Sequence, residues 1–376
     1  MKIYFPGKLV FGRGVLSGLV EEIQQMRVSR VLVVTIEPLL AKIQGVIEGL
    51  KGIEVRTDTT IVQEPSFSDL RDLMKRVDPF DPELVLGIGG GSVLDIAKLV
   101  AAQSGNEQVL EEYAGLNLLQ RRPKKLICVP ATSGTGSEVS PNAILVDGTD
   151  NQKKGIISPY LVPDVVYVDP LLTLSVPASI TAATGLDALT HCMEAYTNLY
   201  AQPFIDMYAL EGIRLIGANL VRAVQDGSDE EAREKVAMGS LLGGFCLGPV
   251  NTAAVHALSY PLGSTFHLPH GLSNALLLPY VMEFNSVAAP CRYAEVAVAL
   301  GCVREKDDGV TAQKGVERIR MLIRKCGIPA RLSEVGVPRN AISDMAVAAM
   351  KITRLLKNNP RPVTVEDAIA IYENAY

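Results

Sequence analysis

The chain has 376 residues, 48% of them hydrophobic, and its 36 Lys and Arg against 41 Asp and Glu give a formal net charge of −5. This length predicts about two domains, each with a sizeable core. The chain has no basic tract or Arg-rich stripe, which argues against nucleic acid or an anionic membrane as its main partner.

The cysteines and the amino terminus indicate the cellular compartment. Six cysteines without a CxxC pair fit reduced thiols better than a disulfide framework. The amino terminus lacks the long apolar core of a signal peptide. No apolar run approaches the roughly 20 residues of a membrane-spanning helix. We therefore expect a cytoplasmic protein without a membrane segment.

The first half of the chain alternates short apolar runs with longer amphipathic segments. Residues 1–14 are predicted to form a strand, a turn and a second strand. The continuous apolar runs at 30–35, 83–91, 125–132 and 164–170 predict buried strands, and helical spacing follows at 16–26, 68–77 and 92–103. Such βαβ alternation is typical of a parallel sheet with helices on its faces.

Two glycine-rich stretches each follow a predicted strand. "GIGGGSVLDIAK" (87–98) opens a helix, whose free N–H groups suit a phosphate, although a tight βα turn needed only for packing is the alternative. It is not the usual GxGxxG fingerprint. "PATSGTGSEVS" (130–140) adds hydroxyls and glycines after the next strand, where ligands of open α/β sheets bind, although a polar surface loop is possible.

The strand pattern fades after about residue 178. The segments that follow carry apolar residues at intervals of three and four, which predicts helices throughout. We therefore divide the chain into an α/β dinucleotide-binding domain at 1–178 and an all-helical domain at 179–376, with the junction near 169–179.

Four ionisable residues of the helical half predict a metal site. Asp187 and His191 are four residues apart and share one helix face, although such a pair is more often a local hydrogen bond. His256 and His270 flank a helix predicted to end near Gly263. One carboxylate and three imidazoles suit Fe(II), Zn(II) or another divalent metal, and the sequence does not distinguish these.

Four stretches together carry a resemblance to a known family: "GGGSVLDIAK", "PATSGTGSE", "GLDALTHCMEAY" and the long segment "HALSYPLGSTFHLPHGLSNALLLPYVMEFN". In this order and spacing they resemble the iron-containing (group III) alcohol dehydrogenases. The resemblance implies the dehydroquinate synthase-like fold, with a Rossmann-like parallel-sheet domain followed by a helical domain.

The resemblance also implies the site residues, carried over by matching positions. The metal ligands would be Asp187, His191, His256 and His270. The cofactor-binding positions would be Glu37, Gly89, Gly90, Gly91, Ser92, Asp95, Thr132, Ser133, Thr135, Asn142, Lys153 and Leu172, with Asn142 also lining the catalytic cleft.

The implied activity is a metal-dependent, NAD(P)-dependent interconversion of an alcohol with an aldehyde or ketone, on a small-molecule substrate and in a homodimer. A maleylacetate reductase-like or dehydroquinate synthase-like enzyme on the same fold is the alternative. The complete set of one aspartate and three histidines argues against the metal-free reductase. The basic residues expected for a phosphorylated sugar acid are missing.

Three positions depart from the family pattern. Tyr260 replaces a histidine that relays protons in many members, which leaves His267, Tyr260 itself or water as the relay. Ile36 replaces the aspartate that binds the ribose hydroxyl in NAD-preferring members. Glu37 can take over that contact, so NAD is favoured over NADP. Finally, "CLGPVN" (246–251) differs where the family shapes its substrate pocket, which predicts a substrate other than short alcohols.

Overall fold

The structure is a computed structural model that describes residues 2–61, 64–148 and 152–376, with no side-chain description for residue 152. The chain divides into two compact units. One comprises Ile3–Thr132 and Gly136–Ser175, and the other contains Val176–Tyr376 together with Ser133–Thr135. The chain passes between them after Ser175, close to the predicted junction. The inclusion of Ser133–Thr135 in the second unit was not predicted.

The first unit is an α/β structure. Its strands are β1 (Lys8–Phe11), β2 (Arg30–Val34), β3 (Glu54–Asp58), β4 (Leu84–Gly89), β5 (Lys125–Pro130), β6 (Asn142–Asp147), β7 (Gln152–Ile157) and β8 (Val165–Val168). Its helices are α1 (Leu19–Gln25), α2 (Leu40–Gly49), α3 (Phe67–Val77), α4 (Gly91–Gln103) and α5 (Leu110–Tyr113).

Six of these strands form a parallel sheet in the order β1-β8-β5-β4-β2-β3, while β6 and β7 form a separate antiparallel hairpin. The predicted fold class is therefore confirmed. Alternate residues of each strand serve different cores: Val31 and Val33 lie in the core that contains Leu19 of α1, whereas Leu32 lies in the core that contains Phe67 of α3. Burial on both faces explains why the strands are continuous apolar runs.

Three local predictions need correction. Residues 1–14 contain one described strand, β1, rather than two, because Lys8–Phe11 pairs in parallel with β8 instead of folding back on residues before it. Gly90 and Gly91 do not extend β4, since α4 begins at Gly91. The helix containing His256 runs to Phe266, three residues beyond the predicted end at Gly263.

The second unit is helical. Its helices are α6 (Ala178–Thr197), α7 (Pro203–Gln225), α8 (Glu230–Leu247), α9 (Ala254–Phe266), α10 (His270–Ser286), α11 (Pro290–Ala299), α12 (Asp308–Lys325), α13 (Ile342–Ala349), α14 (Thr353–Leu356) and α15 (Val365–Asn374). Residues 176–376 are all described and contain no strand, as the periodicity predicts. None of the described helices is both long and apolar enough to cross a membrane.

Glycines let three of these helices approach closely. A Cβ on Gly212 of α7 would lie 2.5 Å from Cys192 Sγ of α6. A Cβ on Gly239 of α8 would lie 2.5 Å from Ile216 Cγ1 of α7. Both distances are below any real Cβ contact, so only glycine permits this crossing. The tight crossing holds α6, which carries two of the predicted metal ligands, firmly in the unit.

Candidate functional site

Three helices of the second unit bring the four predicted metal ligands together. Asp187 and His191 lie one turn apart on α6, His256 lies near the start of α9, and His270 is the first residue of α10. The short connection between α9 and α10 turns at His267, whose φ of 55° is left-handed. This turn returns the chain so that both helices present a histidine to the same place.

The three histidine side chains converge on one oxygen of the Asp187 carboxylate. Asp187 Oδ1 lies 3.7 Å from His191 Nε2, 3.5 Å from His256 Nε2 and 3.7 Å from His270 Nε2. Tetrahedral ligands around a metal ion at about 2.0–2.1 Å stand about 3.3–3.4 Å apart. These three spacings are close to this value. The ligand atoms of Asp187, His256 and His270 also lie within 4.8 Å of one another, so these three residues fit a shared divalent cation, and a fourth contact from His191 stays a prediction.

The cluster is open on one side. The side chains of Asp187 and His256 are 4% exposed and that of His191 is 6% exposed, whereas the His270 side chain is 29% exposed. His270 is therefore the partly exposed member of the cluster, while the other three side chains are shielded from water.

Glu194 holds one of the histidines in place, and the sequence analysis missed it. Its Oε2 lies 2.6 Å from His256 Nδ1, and its Oε1 accepts a hydrogen bond of 2.6 Å from the backbone N–H of Val255. A carboxylate on Nδ1 fixes the tautomer that leaves Nε2 free to bind a metal. The available signal was its position on α6, three residues after His191.

Asn274 is a second residue that the sequence analysis missed. It lies one turn after His270 on α10, and its Nδ2 is 2.6 Å from Asp187 Oδ1, 3.1 Å from His256 Nε2 and 3.3 Å from His270 Nε2. Its Oδ1 is buried and has no hydrogen-bond partner among the described residues. The amide thus contacts three of the four ligands, and its hydrogen bond to Asp187 orients that carboxylate.

The charges of the cluster favour a cation. Burial alone would raise the pKa of Asp187, but the three histidines outweigh it and hold that pKa well below its usual range. Burial acts to lower the pKa of His256, yet Glu194 and Asp187 raise it to about 9. The site therefore attracts positive charge to His256 Nε2, where a proton and a metal ion compete.

A segment of the second glycine-rich stretch forms part of the same unit. A Cβ on Gly134 would lie 2.7 Å from Thr184 Cβ of α6, so the backbone packs directly on this helix. The His191 imidazole faces the Gly134 backbone. Gly134 therefore lies beside the cluster formed by Asp187 and the three histidines, a position that the sequence did not indicate.

The structure separates the two proton-relay candidates. The Tyr260 ring lies 6.1 Å from the His270 ring, one turn after His256 on α9. His267 is exposed and ends α9, and among the described residues no hydrogen bond or ring contact joins its side chain to the four ligands. The relay role of either residue stays a prediction, and the geometry favours Tyr260.

The first unit brings the predicted phosphate-binding residues together. β4 and β5 are parallel neighbours with Gly89 opposite Pro130, and the Ala131 N–H donates to the Gly89 carbonyl at 2.8 Å. A Cβ on Gly90 would lie 3.4 Å from Thr132 Oγ1. The two loops are therefore adjacent at the carboxyl edge of the sheet, where the N–H groups of α4 begin without a side-chain cap.

Two other predicted cofactor residues, Asp95 and Lys153, already have protein partners. Asp95 is half-buried and accepts hydrogen bonds from Ser137 Oγ and the Ile144 N–H, and desolvation raises its pKa. Lys153 Nζ lies 2.6 Å from Glu64 Oε1. Their contact with a cofactor stays a prediction.

Two of the remaining cofactor candidates, Ser133 and Thr135, belong to the helical unit. The others lie in the first unit. Glu37 follows β2 and accepts a 2.7 Å hydrogen bond from Thr59 Oγ1. Asn142 begins β6, and its Oδ1 is buried without a partner among the described residues. Leu172 is buried in the core that contains α1. Gly91 and Ser92 open α4.

Comparison with known proteins decides the family. The family model described as "Iron-containing alcohol dehydrogenase" matches residues 6–170, and the model for the C-terminal part of Fe-containing alcohol dehydrogenases matches residues 181–376. The chain belongs to the iron-containing alcohol dehydrogenase family. The resemblance found in its motifs is thereby confirmed.

Individual proteins similar to this chain align with nearly its full length. Long-chain-alcohol dehydrogenase 1 of Geobacillus thermodenitrificans is 38% identical and aligns with 100% of this chain and 96% of its own. The crystal structure of a 1,3-propanediol oxidoreductase is 33% identical, with a TM-score of 0.96, and covers 100% of this chain and 99% of its own.

A third relative is the sulfoacetaldehyde reductase of Bifidobacterium kashiwanohense, solved in complex with NAD+. It is 27% identical, with a TM-score of 0.91, and covers 100% of this chain and 98% of its own. These relatives are oxidoreductases of alcohols or aldehydes, so the chain belongs among the alcohol oxidoreductases. Their names differ in substrate.

Proposed function

We propose that the chain is a metal-dependent NAD(P) oxidoreductase that interconverts an alcohol with an aldehyde or ketone. The observation that carries this proposal is the convergence of three imidazole Nε2 atoms within 3.7 Å of Asp187 Oδ1. A divalent cation held there, Fe(II) or Zn(II), would polarise a substrate oxygen and stabilise its alkoxide form. The open side along His270 admits the substrate.

The reaction balances as a two-electron transfer. Reduction adds a hydride from NAD(P)H to the carbonyl carbon and a proton to its oxygen, which yields an alcohol and NAD(P)+. Tyr260 is the side chain proposed to deliver the proton, because its ring lies 6.1 Å from His270. A phenol is protonated at neutral pH, so the Tyr260 hydroxyl carries the proton that this step needs.

NAD is the proposed dinucleotide rather than NADP. Glu37 follows β2, at the position where a carboxylate accepts a hydrogen bond from a ribose 2′-hydroxyl and repels a 2′-phosphate. The nearby cation Arg76 is bonded to Asp58 and Thr60, so it is not free to bind a phosphate. The NAD+ complex of the sulfoacetaldehyde reductase supports this choice.

The alternative reactions on this fold receive less support from the site. A maleylacetate reductase-like enzyme would not need the buried cluster of Asp187 and three histidines. A cytoplasmic location and a homodimeric state both remain predictions for this chain. Light scattering of the purified protein tests the homodimer.

The proposed activity is tested by a screen of the purified protein. Aldehydes and alcohols are offered with NADH and NADPH, after loading the protein separately with Fe(II) and Zn(II), and the nicotinamide absorbance is followed. We expect turnover with NADH that disappears on chelation and returns on adding metal. Undiminished turnover in protein shown by elemental analysis to lack metal would refute the metal-dependent proposal.

The role of the first glycine-rich loop is tested by Gly90→Ala. Gly90 has φ −79° and ψ −176°, which alanine adopts freely, and the added methyl meets only ordinary contacts at 3.4 Å. We expect the melting temperature to stay within about 2 °C, while the methyl over the start of α4 weakens NADH binding about tenfold or more. Titration of NADH fluorescence measures the affinity.

The matched control is Gly87→Ala in β4, the strand that leads into the loop. A Cβ there would lie 2.6 Å from Ala97 Cβ of α4, so this variant should lose about 1–3 kcal/mol of stability through overpacking. Unchanged NADH affinity in Gly90→Ala would show that the loop serves packing rather than phosphate binding.

A further inference from the structure

Lys98 is the one buried lysine among the described residues, and its side chain is fully buried in the first unit. It lies on α4, about two turns after Gly91, which is the first residue of this helix. Its Nζ donates hydrogen bonds to the carbonyls of Ser140 and Asn142, at 2.9 and 2.8 Å. A buried ammonium group is costly unless it is hydrogen-bonded, so these contacts fix the segment that carries the two carbonyls.

Asp95 makes the second contact between α4 and the same segment. It precedes Lys98 by three residues, so the two side chains are neighbours on one face of the helix. One oxygen of its carboxylate accepts a hydrogen bond from Ser137 Oγ, and the other accepts one of 2.9 Å from the Ile144 N–H. Both oxygens therefore already serve a protein contact. Together the two side chains make four described hydrogen bonds to residues 137–144.

This segment continues the second glycine-rich stretch (130–140). At its beginning, the stretch is bonded to the end of β4, where the Ala131 N–H donates to the Gly89 carbonyl at 2.8 Å. Near its end, the Ser140 N–H donates to the Gly136 carbonyl at 3.1 Å, which closes a turn. The stretch is therefore anchored at both ends, to the strand and to the helix that flank the first glycine-rich loop.

The anchoring sets the distance between the two predicted phosphate-binding loops. Gly90, Gly91 and Ser92 lie at the start of α4, and Asp95 follows about one turn later. A Cβ on Gly90 would lie 3.4 Å from Thr132 Oγ1, so the two loops are in contact distance of one another. Groups that bind one ligand together must be held to within about 0.5 Å of their productive positions, which a loop without such anchors would not achieve.

Asn142 gives a further link between the anchored segment and a ligand. Lys98 holds its backbone carbonyl, while its side-chain Oδ1 is buried and has no hydrogen-bond partner among the described residues. A buried amide oxygen without a protein donor is suited to accept a hydrogen bond from a bound molecule. Lys98 thus fixes the backbone of a residue that has a free acceptor to offer.

We propose that Lys98 and Asp95 are positioning residues that hold the second glycine-rich stretch against α4, so that both loops bind the pyrophosphate of one dinucleotide. This inference rests on the proposed function and names residues that set cofactor affinity without touching the cofactor. A positioning role predicts that the shape and hydrogen bonds of Asp95 matter, whereas a direct electrostatic role predicts that its charge matters. Asparagine keeps the shape and can bond both Ser137 and Ile144, so it separates the two roles.

The test measures NADH affinity by fluorescence titration of the metal-loaded protein, well below its melting temperature. We expect Asp95→Ala and Lys98→Met to raise the Kd and the KM for NADH about tenfold, with kcat changed by no more than about threefold. Asp95→Asn should return the Kd to within about threefold of the wild type, because it keeps both hydrogen bonds. Hydrogen exchange reports position directly, and the Ile144 N–H should exchange about tenfold faster in Asp95→Ala than in Asp95→Asn.

Val77→Ala is the matched control for a general loss of stability. Val77 is buried in the core that also contains Ile96 of α4, and it is the last residue of α3, the helix that leads into the amino end of β4. It should lower the melting temperature and leave the Kd for NADH unchanged, because it lies at the edge of the sheet opposite to the glycine-rich loops. A loss of NADH affinity equal to that of Lys98→Met would overturn the inference.

The remaining outcomes separate this inference from the function on which it rests. Wild-type NADH affinity in Asp95→Ala would overturn the positioning role alone, and so would a Kd in Asp95→Asn as weak as that in Asp95→Ala. The two Asp95 variants carry the same comparison should Lys98→Met fail to fold. Absence of hydride transfer and of binding of either nicotinamide dinucleotide in the wild type would overturn the proposed function and the positioning role with it.

Discussion

Replacing His256 with alanine should remove the bound metal and reduce turnover by about 1,000-fold or more. His256 contributes one of three Nε2 atoms around Asp187 Oδ1, and its side chain is only 4% exposed, so water does not readily replace it at the same position. Loss of a Lewis acid costs several kcal/mol of transition-state stabilisation, and about 4 kcal/mol corresponds to about 1,000-fold. Elemental analysis gives the metal content, and nicotinamide absorbance gives the rate.

The control for metal content is His267→Ala. His267 belongs to the same histidine-rich segment but is exposed and does not contact the ligands among the described residues. It should retain about one metal ion per chain whatever its effect on rate. Full metal content in His256→Ala, or loss of metal in His267→Ala, would contradict the assignment of the ligands.

Replacing Glu194 with leucine should weaken metal binding about 10- to 100-fold and destabilise the protein. The change leaves His256 Nδ1 and the Val255 N–H buried without the acceptor that each now contacts at 2.6 Å. Outer partners of metal-binding histidines typically affect metal affinity by this factor. Breaking a buried charged contact of this kind costs about 3–5 kcal/mol of stability. Competition with a chelator of known affinity measures the first effect, and denaturant unfolding the second.

Glu194→Gln distinguishes positioning from simple packing. Glutamine keeps the size and one acceptor oxygen, but its amide N–H₂ group then faces one of the two donors. We expect most of the stability to return while metal affinity stays clearly below the wild type. Equal metal affinity in all three proteins would mean that Glu194 does not orient His256.

The sequence predicted the sheet where burial on both faces leaves a plain pattern. Leu84–Gly89 and Lys125–Pro130 were recognisable because alternate residues enter two different cores. β3 was missed since it is the edge strand of the sheet, and its sequence EVRTD is mostly polar and exposed. The β6–β7 hairpin was missed because its pairing lies outside the main sheet.

The sequence predicted those residues of the candidate site that are close together along the chain or belong to a recognised motif. Asp187 and His191 share a helix turn, and the histidine-rich segment resembles a family. The position of Glu194 three residues after His191 was the one signal in the sequence, but its contact with His256, 62 residues away, was not predictable. Such contacts depend on how helices cross, and a single sequence does not encode that in its periodicity.

The inclusion of Ser133–Thr135 in the helical unit has a consequence for dissecting the protein. A fragment that begins at Val176 would lack Gly134, whose backbone packs on Thr184 and faces His191. The surface of α6 that Gly134 covers would then be open to water next to His191, one of the predicted metal ligands. A fragment of the helical unit alone would therefore be incomplete. A truncation or gene fusion that cuts the chain once, after Ser175, would separate Ser133–Thr135 from the helices on which this segment packs.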